Sequence, residues 1–445
     1  MATVTIFLNR LVWGPGMVAL MLGVGLFLSI RTGFAPITLF PAALRRFAAS
    51  FREPGTGAFR ALCTALAATV GTGNLVGVAG AMALGGPGAI FWMWVCGLVG
   101  MATKFAEATL AIHFREVRNG EYLGGPMYMI RKGLHRRWHW LAGLYAFFGV
   151  FAAFGVGNAT QINAIAVSLH LESNLLLGLL LAAPVGAVLL GGAKRIGTAA
   201  ELLVPFASIV YLLLGVGVLV LRFDAVPHAF AAIVRGAFDP GAVTGGLVGS
   251  CFAAMRTGVS RGVFTNEAGM GTASIAHAAA KVKHPAEQGL LGIMEVFIDT
   301  IVICTMTALV ILCSGVPIPY GTDAGGHLTA AAFSTVYGDW VQPLLTACIC
   351  CFAFATVLGW GLYGARCAQY LLGSRAYKPF AWLQIIVVII GAVLDTDVVW
   401  SLAETVNGLM AVPNLIALVL LSPVLTKLTK EYKSIMRHPR RRRYL

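Results

Sequence analysis

The chain has 445 residues, of which 58% are hydrophobic and only 11% charged. Soluble domains carry about 25% charged residues, so a soluble enzyme with a large core is excluded and an all-α polytopic membrane protein is expected. The net charge of +14 sits between apolar runs and in the tail RHPRRRRYL, the pattern of cytoplasmic loops and a lipid-facing terminus; no nucleic-acid partner is expected.

A transmembrane helix takes about 20 apolar residues, and eleven apolar runs follow one another along the chain. The first, about Leu11 to Ile30, ends at Arg31. It lacks a basic leader and a small-residue cleavage site and reads as a retained helix. The second, Phe59 to Leu84, contains AATVGTGNLVG, Ala67 to Gly77. The third spans about Gly88 to Ile112, and a basic loop from His113 to His139 follows it. The fourth begins near Leu141 and carries GVGNATQIN. The fifth covers about Leu175 to Leu190 and the sixth Ala200 to Leu221. The seventh starts near Thr244 and is interrupted at TNEAGMGTA. The eighth spans Ala286 to Leu312, and Ser314 to Gly338 is too polar to cross. The ninth runs from Trp340 to Leu372, the tenth from Phe380 to Leu394 and the eleventh from Leu402 to Leu425.

Two of these runs predict broken helices. Gly71, Thr72, Gly73 and Asn74 interrupt the second, and glycine inside a helix costs about 1 kcal/mol relative to alanine. An unwound backbone at membrane depth is tolerated where it is buried in protein or lines a wet cavity. Such a break presents free N–H groups on one side and free C=O groups on the other, and so suits a small zwitterion and a cation. The bland alternative is close helix packing at the glycines. The stretch TNEAGMG, Thr265 to Gly271, places a second break in the seventh run. The two runs lie five helices apart and cross in opposite directions. Each is followed by a proline at the mouth of the next long helix, Pro87 and Pro285. The pattern points to an inverted repeat with a site at the membrane midplane.

Basic residues are gathered on one face: Arg31, Arg45, Arg46, Arg52, Arg115, Arg118, Arg131, Lys132, Arg136, Arg137, Lys194, Arg195, Lys281, Lys283, Arg366, Arg375, Lys378 and the C-terminal cluster. The other face holds Arg10, Arg222 and Arg235 with Asp323, Asp339, Asp395 and Asp397. This bias places the N-terminus outside and the C-terminus in the cytoplasm of a cell-membrane protein. The nine cysteines lie in or beside apolar runs and read as small buried hydrophobes. Lys104 and Glu107, three apart, can neutralise each other. Glu267, Glu295, Asp299, Arg256 and Arg261 read as a structural ion-pair or gate network, with Glu267 or Asp299 as the sharper alternative, a proton carrier. GVGN and GTGN lack the strand, loop and helix that a nucleotide fingerprint requires.

The stretches TALAATVGTGN, GGPGAIFWMW, GMATKFAEATLAIHFRE, GEYLGGPMY, TNEAGMGTASIAHAAAK, FIDTIVICTMTALVIL and NGLMAVPNLIALVLLS resemble the alanine/glycine:cation symporters, the sodium:alanine symporter family, in order over nearly the whole chain. The resemblance implies a LeuT-type fold of about eleven transmembrane helices. Residues 1–58 form an extra helix and basic loop, 59–222 a first five-helix repeat, 244–425 its inverted counterpart, and 426–445 a basic cytoplasmic tail. It implies import of alanine or glycine with sodium as the coupling ion, and neither an enzyme nor any other cofactor.

VGTGN is similar to the unwound VGxGN segment of LeuT-type sodium symporters, where backbone amides hold the substrate carboxylate. The resemblance assigns that role to Thr72, Gly73 and the start of the following half-helix, at Asn74. It assigns sodium ligation to carbonyls of Ala67, Thr69 and Val70 with the Asn74 side chain, and to Phe352 and Thr356 on the ninth helix. Hard cations take such oxygen donors. Asn266, Gly269 and Met270 lie at the second break, whose carbonyls would face the substrate ammonium. Gln161 faces the substrate or makes an interhelical bond. Phe264, Met270 and Trp360 form an apolar wall or plain packing. Two positions depart from the family: Ala355 stands where a second hydroxyl is expected beside Thr356, and Ala365 where a glutamate is expected. The first puts sodium ligation in question: a weaker sodium site, a water in place of the hydroxyl, or proton coupling would each fit. A channel would show a pore loop or a ring of charges, and a membrane-embedded enzyme a convergence of catalytic groups; neither pattern is present.

Overall fold

Among the described residues each apolar run is largely helical, because a backbone in hydrocarbon must satisfy its own hydrogen bonds, although the seventh run turns helical only at Cys251. A computed structural model describes residues 12–53, 57–118, 120–169, 174–248, 250–322, 325–393 and 397–437. Arg10, Asp323, Asp395 and the arginine cluster beyond residue 437 lie outside these residues. The helices are α1 (Pro15–Arg31), α2 (Phe40–Ser50), α3 (Ala58–Thr69), α4 (Val78–Gly85), α5 (Gly88–Phe114), α6 (Pro126–Gly133), α7 (Trp140–Phe154), α8 (Thr160–Leu169), α9 (Asn174–Leu189) and α10 (Gly192–Leu221). They continue with α11 (Val226–Phe238), α12 (Cys251–Asn266), α13 (Thr272–His277), α14 (Pro285–Val296), α15 (Thr305–Ser314), α16 (Gly325–Tyr337), α17 (Gln342–Leu372), α18 (Tyr377–Gly391), α19 (Asp397–Leu420) and α20 (Ser422–Arg437). π-Helical turns at Gly73–Gly77, Gly155–Ala159 and Phe297–Cys304 lead into α4, α8 and α15.

Among the described residues five helical stretches are long and apolar enough to cross a membrane, and up to seven if each bent pair counts as one span. One bent pair is the second run, where α3 and the segment Gly73–Gly85 meet at 51°. The other corrects the sequence reading. The eleventh run does not continue to Leu425: α19 ends at Leu420, and α20 departs at 61°. Residues 426–437, expected as part of the tail, are therefore helical. The basic loop after α5 also holds a two-stranded hairpin, β1 (Glu116–Arg118) and β2 (Glu121–Leu123), in antiparallel register.

Helix α10 shows how the bundle meets lipid. Leu202, Phe206, Ile209, Leu213, Val216 and Val220 line one exposed face, while Ala200, Val204, Ala207, Tyr211 and Val218 are buried on the other. A long apolar exposed stripe marks a membrane-facing surface. Inside, α5 is clamped between α12 and α14 through missing side chains. A Cβ at Gly258 of α12 would lie 2.2 Å from the Ala89 carbonyl oxygen, and one at Gly289 of α14 would lie 2.1 Å from Thr109 Oγ1. Such close backbone approach is what small residues give membrane helices. Six cysteines are buried; Cys251, Cys350 and Cys351 are only half-buried.

Candidate functional site

The first break opens where α3 ends. Val70 is extended (φ −78°, ψ 97°), and the chain re-enters a helix only at Gly73. Asn74 folds its side chain back over the gap: its Oδ1 accepts the Gly71 N–H at 2.9 Å. The Thr72 hydroxyl donates to Gln161 Oε1 at 3.1 Å, and the Gln161 amide donates to the Val156 carbonyl. A Cβ at Gly73 would meet Thr265 Cγ2 at 3.2 Å and Phe264 Cδ1 at 3.6 Å. Thr72, Gly73, Gln161 and Phe264 therefore gather at one place, drawn from α7–α8, α12 and the break.

Beside this cluster lies an oxygen-rich point. Thr356 Oγ1 sits 2.9 Å from the Ala67 carbonyl and 2.9 Å from the Phe352 carbonyl. A hydroxyl has one proton, so it satisfies one of these carbonyls at a time. Ala67, Val70, Phe352 and Ala355 belong to one apolar cluster around it, and a Cβ at Gly71 would come within 2.7 Å of the Thr356 oxygen. Three of the expected cation ligands thus converge, and Val70 starts the break beside them. The Thr69 hydroxyl bonds back to Ala65 within its own helix. Asn74 turns the other way: its Nδ2 donates to Asp299 Oδ1, to the Asp299 carbonyl and to Cys304 Sγ. Ala365 is buried on α17; nothing around it accounts for the missing glutamate.

The second break is set by a strained cap. Glu267 ends α12 with φ 52°, a left-handed conformation that glycine usually supplies at this position and that costs other residues of order 1–2 kcal/mol. Its carboxylate then reaches two donors, Trp360 Nε1 at 3.0 Å and Thr272 Oγ1 at 2.5 Å. Trp360 is fully buried and packs against Gly157, where a Cβ would lie 2.2 Å from the Trp360 Cβ. It is thus a packed aromatic that also donates a hydrogen bond. Glu107 Oε1 accepts the backbone N–H groups of Gly269 and Gly271 at 3.0 and 3.1 Å, and the Asn414 amide at 2.8 Å. Asn414 also donates to the Gly269 carbonyl. The carbonyl of Gly269 is thereby already partnered. Met270 is buried with its N–H on the Glu267 carbonyl.

The two breaks are joined through side chains. Asp299 Oδ2 accepts from Thr300 Oγ1, which in turn accepts from Asn266 Nδ2. The path Asn74, Asp299, Thr300, Asn266 runs from one interruption to the other, all four residues fully buried.

The local pairing of Lys104 with Glu107 does not form. Lys104 Nζ bonds Glu295 at 2.9 Å, and His277 takes the other oxygen of Glu295 at 2.8 Å. Spacing along one helix favours the three-apart neighbour, but α14 brings a second acid against the same lysine. Arg261 pairs with Glu404 at 3.5 Å. Glu267 and Asp299 accept from neutral donors instead. Three residues that sequence reasoning passed over hold the site together: Thr300, Asn414 and Thr272. Asn414 lies within the quoted stretch NGLMAVPNLIALVLLS, where an amide amid apolar residues was a usable signal. GVGN proves structural: Asn158 of its π-turn donates to both oxygens of Gln384 on α18.

Residues 1–444 match the model of the sodium:alanine symporter family. The chain is 45% identical to the sodium/alanine symporter AgcS of Methanococcus maripaludis, over 97% of each protein. It is 38% identical to the probable sodium/glutamine symporter GlnT of Bacillus subtilis, covering 95% of this chain and 89% of the other. It is 34% identical to the putative sodium/proton-dependent alanine carrier protein YrbD of the same organism, over 97% and 93%.

Proposed function

The chain belongs to the sodium:alanine symporter family, a multi-pass cell-membrane carrier and not an enzyme, and on that premise we propose that it imports alanine or glycine together with sodium by alternating access. Membership gives a cation-coupled amino-acid symporter; the sodium and alanine reading rests on the Thr356 hub. Three oxygens, from α3 and α17, stand within hydrogen-bonding distance around one hydroxyl proton. A monovalent cation placed there would use the lone pairs that the proton leaves unshared. The carboxylate of the substrate then belongs at Thr72 and Gly73, at the start of the half-helix whose dipole favours an anion. Phe264, Met270 and Trp360 form the wall that limits side-chain size and excludes leucine; each misplaced methylene costs about 1–3 kcal/mol.

The reading includes eleven spans, with residues 59–222 and 244–425 as inverted repeats, an external N-terminus and a cytoplasmic C-terminus. Alternating access would be a change of angle at the two breaks, with the Asn74 to Asn266 path making them move together. Proton coupling is the second reading. It is favoured by Ala355, which removes one hydroxyl from the cation site, and by Glu267 and Asp299, buried acids with neutral partners. One experiment separates these. Alanine uptake into proteoliposomes is measured against sodium at fixed pH, then against an inward proton gradient without sodium. Sodium-dependent uptake with alanine counterflow supports the proposal. Uptake indifferent to sodium and driven by protons replaces it with the second reading, and net flux without counterflow indicates a channel.

A further inference from the structure

On the basic face of the molecule, outside the membrane-spanning segments, α2, the loop before α14 and α20 enclose a cavity of about 810 Å³. Its walls carry Arg45, Arg46, Lys281, Lys283 and His284, against the acids Glu53 and Glu287. The excess is cationic. Two donors in it have no acceptor among the described residues, His284 Nε2 and Arg46 Nε. His284 is 7% exposed, so water does not readily replace a missing partner, and such an orphaned donor costs about 1–3 kcal/mol.

The chemistry of His284 fixes what is missing. Its Nδ1 accepts the Ala286 N–H at 3.1 Å and so caps the N-terminus of α14. Burial, more than the neighbouring His113, lowers its pKa against the opposing effect of Glu431, so the ring is neutral at pH 7. A neutral ring that accepts at Nδ1 carries its proton at Nε2. That proton lines a cationic cavity at the N-terminal end of a helix, where the dipole also favours negative charge. The Arg46 guanidinium spends one nitrogen on Glu53 at 2.7 Å and leaves its Nε for another acceptor.

We propose that this cavity is a phosphate-binding site, taking the oxyanion of an anionic phospholipid headgroup or of a soluble phosphate. The ligand places one oxygen on His284 Nε2 and Arg46 Nε, and the remaining charge faces Lys281 and Lys283. Bound there, it clamps α2 and α20 to the loop that follows the second break. No part of the proposed transport site lines the cavity, so occupancy and alanine binding can be scored separately.

The test uses the purified full-length protein. In one arm it is placed in nanodiscs of phosphatidylcholine with or without phosphatidylglycerol; in the other it stays in detergent and is titrated with sodium phosphate against sodium chloride of equal ionic strength. Thermal melting and native mass spectrometry report binding. His284→Asn keeps a side-chain acceptor for the Ala286 N–H and removes the inward donor. Lys281→Gln with Lys283→Gln alters only exposed side chains and guards against a misfolded histidine variant. Stabilisation of the wild type, weakened about tenfold by loss of a hydrogen bond to a charged group, supports the site. Response to phosphatidylglycerol alone identifies a headgroup, and response to inorganic phosphate alone a soluble ligand. A wild type that responds to neither source, or variants that respond as the wild type does, would overturn the proposal.

Discussion

Asn74 Nδ2 lies 2.7 Å from Asp299 Oδ1, so the residue that closes the first helix break is held by the eighth apolar run. The oxygen of the same amide accepts the Gly71 N–H. One side chain thus fixes the gap and anchors it. Asn74→Ala leaves the Gly71 donor and an Asp299 oxygen short of partners in a buried site, a loss of about 2–6 kcal/mol for two unsatisfied groups. Alanine uptake should fall to background while the protein still inserts, with a lowered melting temperature. Unchanged melting would show that the bond carries no stability.

Gly71 and Gly73 are predicted to behave differently, although both belong to VGTGN. A Cβ at Gly71 meets the Thr356 oxygen at 2.7 Å, whereas one at Gly73 meets a threonine methyl at 3.2 Å. Gly71→Ala should raise the sodium concentration needed for half-maximal uptake, with alanine affinity at saturating sodium little changed. Gly73→Val should abolish alanine binding without preventing insertion, since its branched side chain occupies the space assigned to the carboxylate. Isothermal titration of alanine at several sodium concentrations reads both.

Thr356→Val keeps the volume and removes the oxygen. On the proposed cation site, sodium affinity should fall by about tenfold or more, the worth of one ligand oxygen judged by a charge-bearing hydrogen bond. Ala355→Ser should tighten sodium. Reciprocity requires sodium to change alanine affinity by the same factor as alanine changes sodium affinity. A variant Thr356→Val with wild-type sodium dependence would remove the hub from the mechanism.

Glu107→Gln should be tolerated and Glu107→Ala should not. The glutamine oxygen can still accept from Gly269, Gly271 and Asn414, all now on Oε1. Alanine leaves the Gly269 and Gly271 N–H groups unsatisfied, at about 1–3 kcal/mol each, and Asn414 with its bond to the Gly269 carbonyl alone. Melting temperatures of the two variants in detergent make the comparison.

The breaks were legible because glycine flanking a polar residue inside an apolar run is expensive unless it serves a purpose. The convergence of Ala67, Phe352 and Thr356 was legible only through family resemblance, since 285 residues separate the first two and no local pattern connects them. The partner of Lys104 was misread for the same reason. Spacing shows the neighbour on one helix, and Glu295 arrives from another. The bend at Leu421 left no mark in hydropathy, because α20 begins with the apolar residues that close the eleventh run. Glu267 could be flagged as an intramembrane acid, but its left-handed backbone and its bond to Trp360 depend on three-dimensional packing.

The end of α1 is covered by a helix made at the other extreme of synthesis. Lys433 Nζ donates to the Thr32 carbonyl, 401 positions earlier, and Trp13 Nε1 donates to the Glu404 carbonyl, 391 positions later. Domains assemble as the chain emerges, and these bonds must wait until nearly all of it has left the ribosome. The first helix therefore enters the bilayer with its elbow uncovered, and α20 acts as the closing latch of biogenesis. Nascent chains arrested near residue 420 should be cleaved by protease around Gly33, and full-length chains protected; equal cleavage of both would refute a latch.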